Sequence, residues 1–523
     1  MHSKRAWSIN SLLKLSENRD FVVIFADFSI YLRRLMTLVM KYRNIIGREI
    51  EISILERALR SKKSEFIALF GRRRVGKSYL VTEVYSGKIA FTAVGTYVKD
   101  GDKDYATYRK RQLEHFYDSL LFAGLDPSRK KPESWREAFV LLRVLLDGLS
   151  VKRKVVFIDE LPWLAGPQSA ELVSELGYFW NSWACSQRNI VLVVCGSATS
   201  WMLDNVVHEY GGLHGRLTEL FKLNPFTLAE CKTYFKRNGF RLSDYEICLT
   251  YMAFGGIPYY LDRLRNDQTI TENIDRLFFD EEKIHQEFKD VYAGLYSSKD
   301  KYISVVKAIG SQFYGMTQAE ISAATETKAG GTLSKILKNL LESGVIREYP
   351  KYGGDRVENV YQLVDFFSLF YLRFINGKHV QHGMWHSINR TGEFNTWIGN
   401  TFELVCILHL DNILKAANIV SADRNYCWNG KGPDKRGAQI DLVVESNAGR
   451  TDYIFEMKYY SGLYPISAED ADNIENKVNA FSASPMHKTT HSIQVIIVTT
   501  KGVANGTHRD AVNQIITLED LFK

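Results

Sequence analysis

At 523 residues the chain exceeds one ordinary hydrophobic core, and about two to four domains are expected. Its 45% hydrophobic and 24% charged content excludes a disordered polymer. A net charge of +7 is compatible with nucleic acid without requiring it. The six cysteines (Cys185, Cys195, Cys231, Cys248, Cys406, Cys427) have no paired metal spacing and read as reduced thiols of a cytoplasmic protein. Near the start, Phe21–Ala26 is apolar, but Asp27 and Arg33-Arg34 interrupt it well short of a membrane span and no small-residue cleavage site follows. No membrane partner is expected, residues 1–42 read as an N-terminal extension, and the natural start is expected at Met36 or Met40.

In chain order, Ile45-Ile46-Gly47-Arg48-Glu49 reads as a turn entering an amphipathic helix through Leu55 and Leu59. The apolar run Phe66–Phe70 then leads into Gly71-Arg72-Arg73-Arg74-Val75-Gly76-Lys77-Ser78, and Tyr79 onward continues as a helix. Strand, glycine-rich loop and helix form the P-loop layout for a nucleoside triphosphate. Gly71 and Gly76 let backbone N–H groups turn toward phosphate, Lys77 supplies charge to the outer phosphates, and the Ser78 hydroxyl can ligate Mg²⁺. The arginines Arg72 to Arg74 receive no catalytic role from the sequence.

Lys88–Val94 reads as a strand, residues 99–135 as a charged helical insertion with solvated faces, and Ala138–Leu149 as an amphipathic helix. Val155-Val156-Phe157-Ile158 reads as a buried parallel strand ending in Asp159 and Glu160, a pair suited to holding Mg²⁺ and polarising the attacking water. A second buried strand, Ile190–Cys195, ends in Gly196-Ser197, and Ser197 is the candidate γ-phosphate sensor. Arg216 is either an arginine finger, acting in cis or across a subunit interface, or an ordinary surface arginine. From Pro225 to about Arg265 the pattern is helical, broken at Gly255-Gly256-Ile257-Pro258-Tyr259-Tyr260.

The loop Gly71–Ser78 together with Phe157-Ile158-Asp159-Glu160, Cys195-Gly196-Ser197 and Gly255–Tyr260 resembles the bacterial and archaeal "ATP-binding protein" group of AAA+/STAND-type ATPases over roughly residues 43–265. The resemblance implies ATP and Mg²⁺ as cofactors. It also implies that Gly47 and Arg48 border the adenine pocket, that Tyr79 and Pro258 lie against the nucleotide, and that Lys77 and Glu160 are catalytic.

Beyond the lid, Tyr302–Gln312, Thr317–Ala324 and Gly331–Glu342 read as three short helices. Gly344–Tyr349 and Asn359–Leu363 read as strands about a Gly353-Gly354-Asp355 turn. The order resembles a winged helix-turn-helix. Lys328, Lys335 and Lys338 on its third helix make DNA docking possible, Glu326 and Glu342 dilute that charge, and a protein contact remains the alternative. An aromatic helix over Asp365–Phe374 reads as packing core. His379, His382 and His386 have helical spacing but no fourth ligand, and no metal is assigned there.

In the last segment, Trp397 begins an apolar helix that carries Glu403. Gln439–Val444 and Tyr453–Tyr459 read as a strand pair carrying Asp441 and Glu456-Met457-Lys458, followed by a helix near 468–481 and a strand at Ile493–Thr499. This order resembles the PD-(D/E)xK nuclease fold over about residues 395–523, as in ATPases with a DUF234-type ending. By that resemblance Asp441 and Glu456 would bind a second Mg²⁺ or Mn²⁺, Glu403 would support the metal, and Lys458 would orient the water or stabilise the phosphate.

The expected fold class is α/β: a P-loop NTPase parallel-sheet core (43–225), a helical lid (226–300), a winged helix (301–376), a linker (377–394) and an α/β restriction-endonuclease-like domain (395–523). The expected function is an ATPase whose nucleotide state controls a DNA-cleaving tail. The alternative is a nucleotide-switched DNA- or protein-binding regulator with an inert tail.

Overall fold

The computed structural model describes residues 41–96, 105–166, 170–207, 213, 215–280, 282–293, 299–325, 327, 330–353 and 356–523. The expected starts Met36 and Met40, residues 99–104 of the charged stretch, Tyr210 to Gly212, His214, Glu326, Lys328 and the Gly354-Asp355 turn lie outside them.

The first sheet has five parallel strands in the order β2-β3-β4-β1-β5: β1 Glu65–Phe70, β2 Ile89–Val94, β3 Lys154–Asp159, β4 Ile190–Gly196 and β5 Glu219–Lys222. β1, β3 and β4 are buried throughout, which is why they read as continuous apolar runs rather than alternating ones. Their side chains nevertheless alternate between two cores. Ile67, Leu69, Val155, Phe157, Val191 and Val193 face the helices Glu49–Arg60 and Lys77–Val84. Phe66, Ala68, Val156, Ile158, Leu192 and Val194 face Tyr105–Phe122, Trp135–Gly148 and Ala170–Ser182. The charged stretch after β2 therefore differs from a solvated insertion. Its helix Tyr105–Phe122 buries Leu113, Phe116 and Leu120 against Phe91, Trp135 and Phe139, while its charges stay on the outer face.

The remaining strands form one eight-stranded sheet in the order β13-β12-β11-β10-β9-β7-β8-β6. Residues 299–363 contribute three helices (Lys299–Gly310, Gln318–Thr325, Gly331–Glu342), the short β6 Met316–Thr317, and the antiparallel pair β7 Ile346–Gly353 and β8 Arg356–Leu363. The C-terminal part contributes β9 Arg424–Lys431, β10 Gly437–Ser446, β11 Thr451–Lys458, β12 Ser492–Thr499 and β13 Gln514–Thr517. The join is a short parallel ladder of β7 with β9, Lys351 to Cys427 through Gly353 to Asn429.

The segment 377–394 is folded rather than extended. Asp275 from the lid accepts the Gly383 and Trp385 amides at 2.5 and 3.0 Å, and His382 Nδ1 lies 3.4 Å from the same carboxylate. Trp385 is thereby buried among Phe370, Phe374 and Trp397. One apolar cluster consequently runs from Tyr42 through the lid to Leu521.

His409 ties these parts together. Its Nδ1–H donates to Val405 O at 2.9 Å, and its Nε2 accepts the Leu228 amide of the lid at 3.1 Å, an arrangement open only to the neutral ring. Burial pulls its pKa below the ordinary value of 6.5. The unfolded chain therefore binds this proton more readily, so the contribution is intact above pH 6.5 and is lost as pH falls. We expect thermal stability to fall between pH 6.5 and 5 and a His409→Gln variant to flatten that slope; equal slopes in both proteins would exclude His409 as the cause.

Candidate functional site

β1 delivers the chain to Gly71, whose φ is +145° and whose missing Cβ would lie 2.4 Å from the Leu223 carbonyl, so only glycine admits this approach. Gly76, at φ +92°, is the N-cap of the helix Lys77–Val84, whose first N–H groups have no side-chain cap. Lys77 is buried, and its Nζ donates to the carbonyls of Gly71 and Arg72, each at 3.1 Å, so the loop wraps its own cation. Ser78 is exposed at the helix start, and half-exposed Tyr79 donates its hydroxyl to Asn44 O at 3.3 Å.

Beside the loop, β3 ends in Asp159 and β4 in Gly196. Asp159 is buried, and its Oδ1 accepts the Glu160 amide at 2.9 Å and the Cys195 thiol at 2.5 Å. Glu160 sits in the left-handed region (φ +48°), and its Oε2 accepts both the amide (3.1 Å) and the hydroxyl (2.9 Å) of Ser197. Burial pushes the Cys195 thiol well up; the charges of Asp159 and Glu160 push the same way and Lys77 opposes them. That single thiol therefore lies in the field of Lys77 and of both acids. An exposed hydroxyl at Ser78 and a carboxylate at Asp159 with one oxygen outside these bonds are hard oxygen donors, and they fit a Mg²⁺ carried with the nucleotide.

Gly47 and Arg48 lie at the joint with the lid: Arg48 Nη2 donates to Asn224 O at 2.6 Å, its guanidinium covers Phe226, and Glu230 fills the space over Gly47. Pro258 opens the short helix Pro258–Leu261. Arg216 is exposed in a turn closed by its amide on Leu213 O.

A second group of charges gathers in the C-terminal part. Glu403 comes from the helix Gly392–Leu408, Asp441 from a bulge in β10 between Ile440 and Val443, and Glu456 and Lys458 from β11. Burial, then the charges of Asp441 and Glu456, push Glu403 up to about 9, and its Oε2 is buried without a hydrogen-bond partner. Burial also raises Asp441, which accepts from Gln439 at 3.0 Å. Sequence reasoning missed Lys477, on the helix Ala468–Ser482, which pairs directly with Glu456, while Lys458 stands 3.9 Å from it. Asp470, Asn473 and Lys477 line one small pocket with Glu456 and Lys458, and their helical spacing was the signal available. Among the described residues no group of three His, Cys, Asp or Glu side chains is close enough to hold a metal. As folded, the Lys477 ammonium stands where a cation on Glu456 would.

Residues 45–264 match a family described as an ATPase domain predominantly from Archaea. The chain is 25% identical over 430 residues to an uncharacterized protein of Methanocaldococcus jannaschii, covering 79% of this chain and 87% of that one. Among solved structures it is similar to a Walker-type ATPase of Pyrococcus abyssi, at 21% identity and a TM-score of 0.44, covering 63% of this chain and 97% of that one. It is also similar to the ORC2 protein of Aeropyrum pernix, at 14% identity and a TM-score of 0.38, covering 63% and 93%. No described helix is long and apolar enough to cross a membrane. The family match falls on the loop that wraps Lys77 beside Asp159 and Glu160, and it supports an ATP-binding ATPase over residues 45–264.

Proposed function

We propose that the protein is a Mg²⁺-dependent ATPase whose nucleotide state controls a nuclease-like C-terminal domain acting on DNA. The observation that carries the ATPase half is Glu160, a carboxylate one residue beyond Asp159 and clamped by the amide and hydroxyl of Ser197. When a γ-phosphate draws the Ser197 hydroxyl, Glu160 becomes available to orient and deprotonate water, and Lys77 leaves its two carbonyls for the phosphate. Exposed Arg216 remains available to a neighbouring subunit.

For the tail, the support is the convergence of Glu403, Asp441, and the Glu456 and Lys458 of one strand, from three elements of the chain. Glu456 can serve a phosphodiester only with Lys477 withdrawn, which assigns the ATPase the task of loosening that pair. The helix Gly331–Glu342 leans on the ATPase through Lys338 and Asp204 at 3.3 Å, favouring a protein contact over DNA for that helix. The test is plasmid nicking by the full chain with Mg²⁺ or Mn²⁺, with and without ATP. Wild type should cleave in the presence of nucleotide and Asp441→Ala should not; wild type that leaves the plasmid intact under every nucleotide sinks the nuclease half.

The second reading, a nucleotide-switched binding protein with an inert tail, is favoured by the Lys477–Glu456 pair itself. It requires partner affinity to change with nucleotide while Asp441→Ala changes nothing.

A further inference from the structure

The three P-loop arginines reach out of the ATPase domain. Arg72 is 3% exposed and its Nη2 lies 2.6 Å from Asp365 Oδ1, itself buried. Asp365 also caps the helix Phe366–Phe374: its Oδ2 accepts the Ser368 amide at 3.2 Å and the Ser368 hydroxyl at 2.5 Å, and that hydroxyl meets Tyr292 at 2.7 Å. Arg74, held at φ +72°, lies over the Tyr259 ring at 3.8 Å and pairs with buried Glu287, whose Oε1 accepts the Tyr260 hydroxyl at 3.0 Å. Arg73 donates to the Asp290 carbonyl at 3.1 Å.

We propose that Asp365 and Glu287, both beyond residue 264, are positioning residues for the nucleotide: through Arg72 and Arg74 they hold the P-loop in its phosphate-binding shape and carry its occupancy to the helix Phe366–Phe374. A guanidinium buried in a turn is tolerated only beside its counter-charge, so the loop backbone and Asp365 must move together. Arg74 occupies a left-handed conformation unfavourable to an ordinary side chain, and Glu287 and Tyr259 hold it there. The peptide of Gly71 and Arg72 carries both ends of the device. Its carbonyls hold Lys77, and the Arg72 side chain holds Asp365. Drawing Lys77 onto phosphate frees those carbonyls and shifts the residue to which Asp365 is tied. Among the described residues, Nε and Nη1 of Arg72 have no hydrogen-bond partner and the Tyr260 ring stands 6.0 Å from its guanidinium, so Asp365 is its one ion-pair partner and a small loop movement is felt there. The helix beyond Asp365 packs Phe370 and Phe374 against Trp385 and Trp397, at the entrance to the C-terminal part.

This inference rests on the ATPase reading, and the experiment separates the two. With the full chain, fluorescent-ATP binding and steady-state hydrolysis are measured together with amide hydrogen exchange over 366–374, with and without a non-hydrolysable ATP analogue. Wild type should change exchange there on binding. Asp365→Asn should raise KM by about tenfold with a smaller change in kcat and abolish the exchange response, and Asp365→Glu should recover part of both. Because Asp365 also caps a helix, Glu287→Gln supplies the independent arm, with KM raised by about fivefold. If Asp365→Asn fails to fold, Glu287→Gln decides. Wild-type KM in the folded variants, with only thermal stability lowered, would overturn the proposal, as would a nucleotide-binding wild type whose exchange over 366–374 does not respond. Failure of wild type to bind ATP would overturn the nucleotide reading itself.

Discussion

Replacing Glu160 with Gln should lower the ATP turnover rate by about two to four orders of magnitude while leaving ATP binding close to wild type. The amide has the shape of the carboxylate, and its oxygen can still accept the Ser197 amide and hydroxyl that Glu160 Oε2 accepts now. It lacks only basicity and charge. Neither Lys77 nor the loop glycines bond to Glu160, so the phosphate cradle should survive the change. Phosphate release under saturating ATP measures the rate, and fluorescent-nucleotide titration measures the affinity. A Gln variant within a few-fold of wild-type turnover would remove Glu160 from the chemistry.

Glu403→Gln is expected to have the largest effect on stability, and in the favourable direction. Burial, reinforced by Asp441 and Glu456, raises this carboxyl from an ordinary 4.5 to about 9 in the folded chain. Below pH 4.5 both the folded and unfolded forms hold the proton and nothing is lost. Between 4.5 and 9 the unfolded chain gives it up more readily, so folding weakens as pH rises, by about 5 kcal/mol at pH 8 if the full shift is expressed. Gln is neutral throughout and escapes that loss. Its melting temperature should exceed wild type at pH 8, and the two should converge near pH 4.5. Equal pH slopes would show that Glu403 ionises freely.

The central strands and their polar tips were legible because burial on both faces writes itself into consecutive apolar residues, as in Val155–Ile158 and Ile190–Cys195. β5 and β9 were not. Glu219–Lys222 is a four-residue sheet edge, and Arg424–Lys431 mixes polar and aromatic residues with little apolar signal, becoming a strand because β10 and β7 offer it ladders. Residues 377–394 read as a linker because Gly377, Gly383 and Gly392 interrupt any helical period; their order comes from Asp275, about a hundred residues earlier. Lys477 and the arginines 72–74 were opaque for the same reason. An ion pair leaves no periodicity: the partner of Arg72 comes from a distant part of the chain, and the spacing that puts Lys477 on one helix face with Asp470 and Asn473 does not name Glu456 as its partner.

The ladder between β7 and β9 bears on cooperativity. Only a few residues on each strand make it, yet it converts two sheets into one, so neither part has a finished edge where they meet. Cutting the chain within 377–394 would bare the sides of two strands, each a template for pairing with another copy. Residues 299–523 are therefore expected to melt and re-form as one unit, and the tail's behaviour is best read in the intact chain rather than in a fragment.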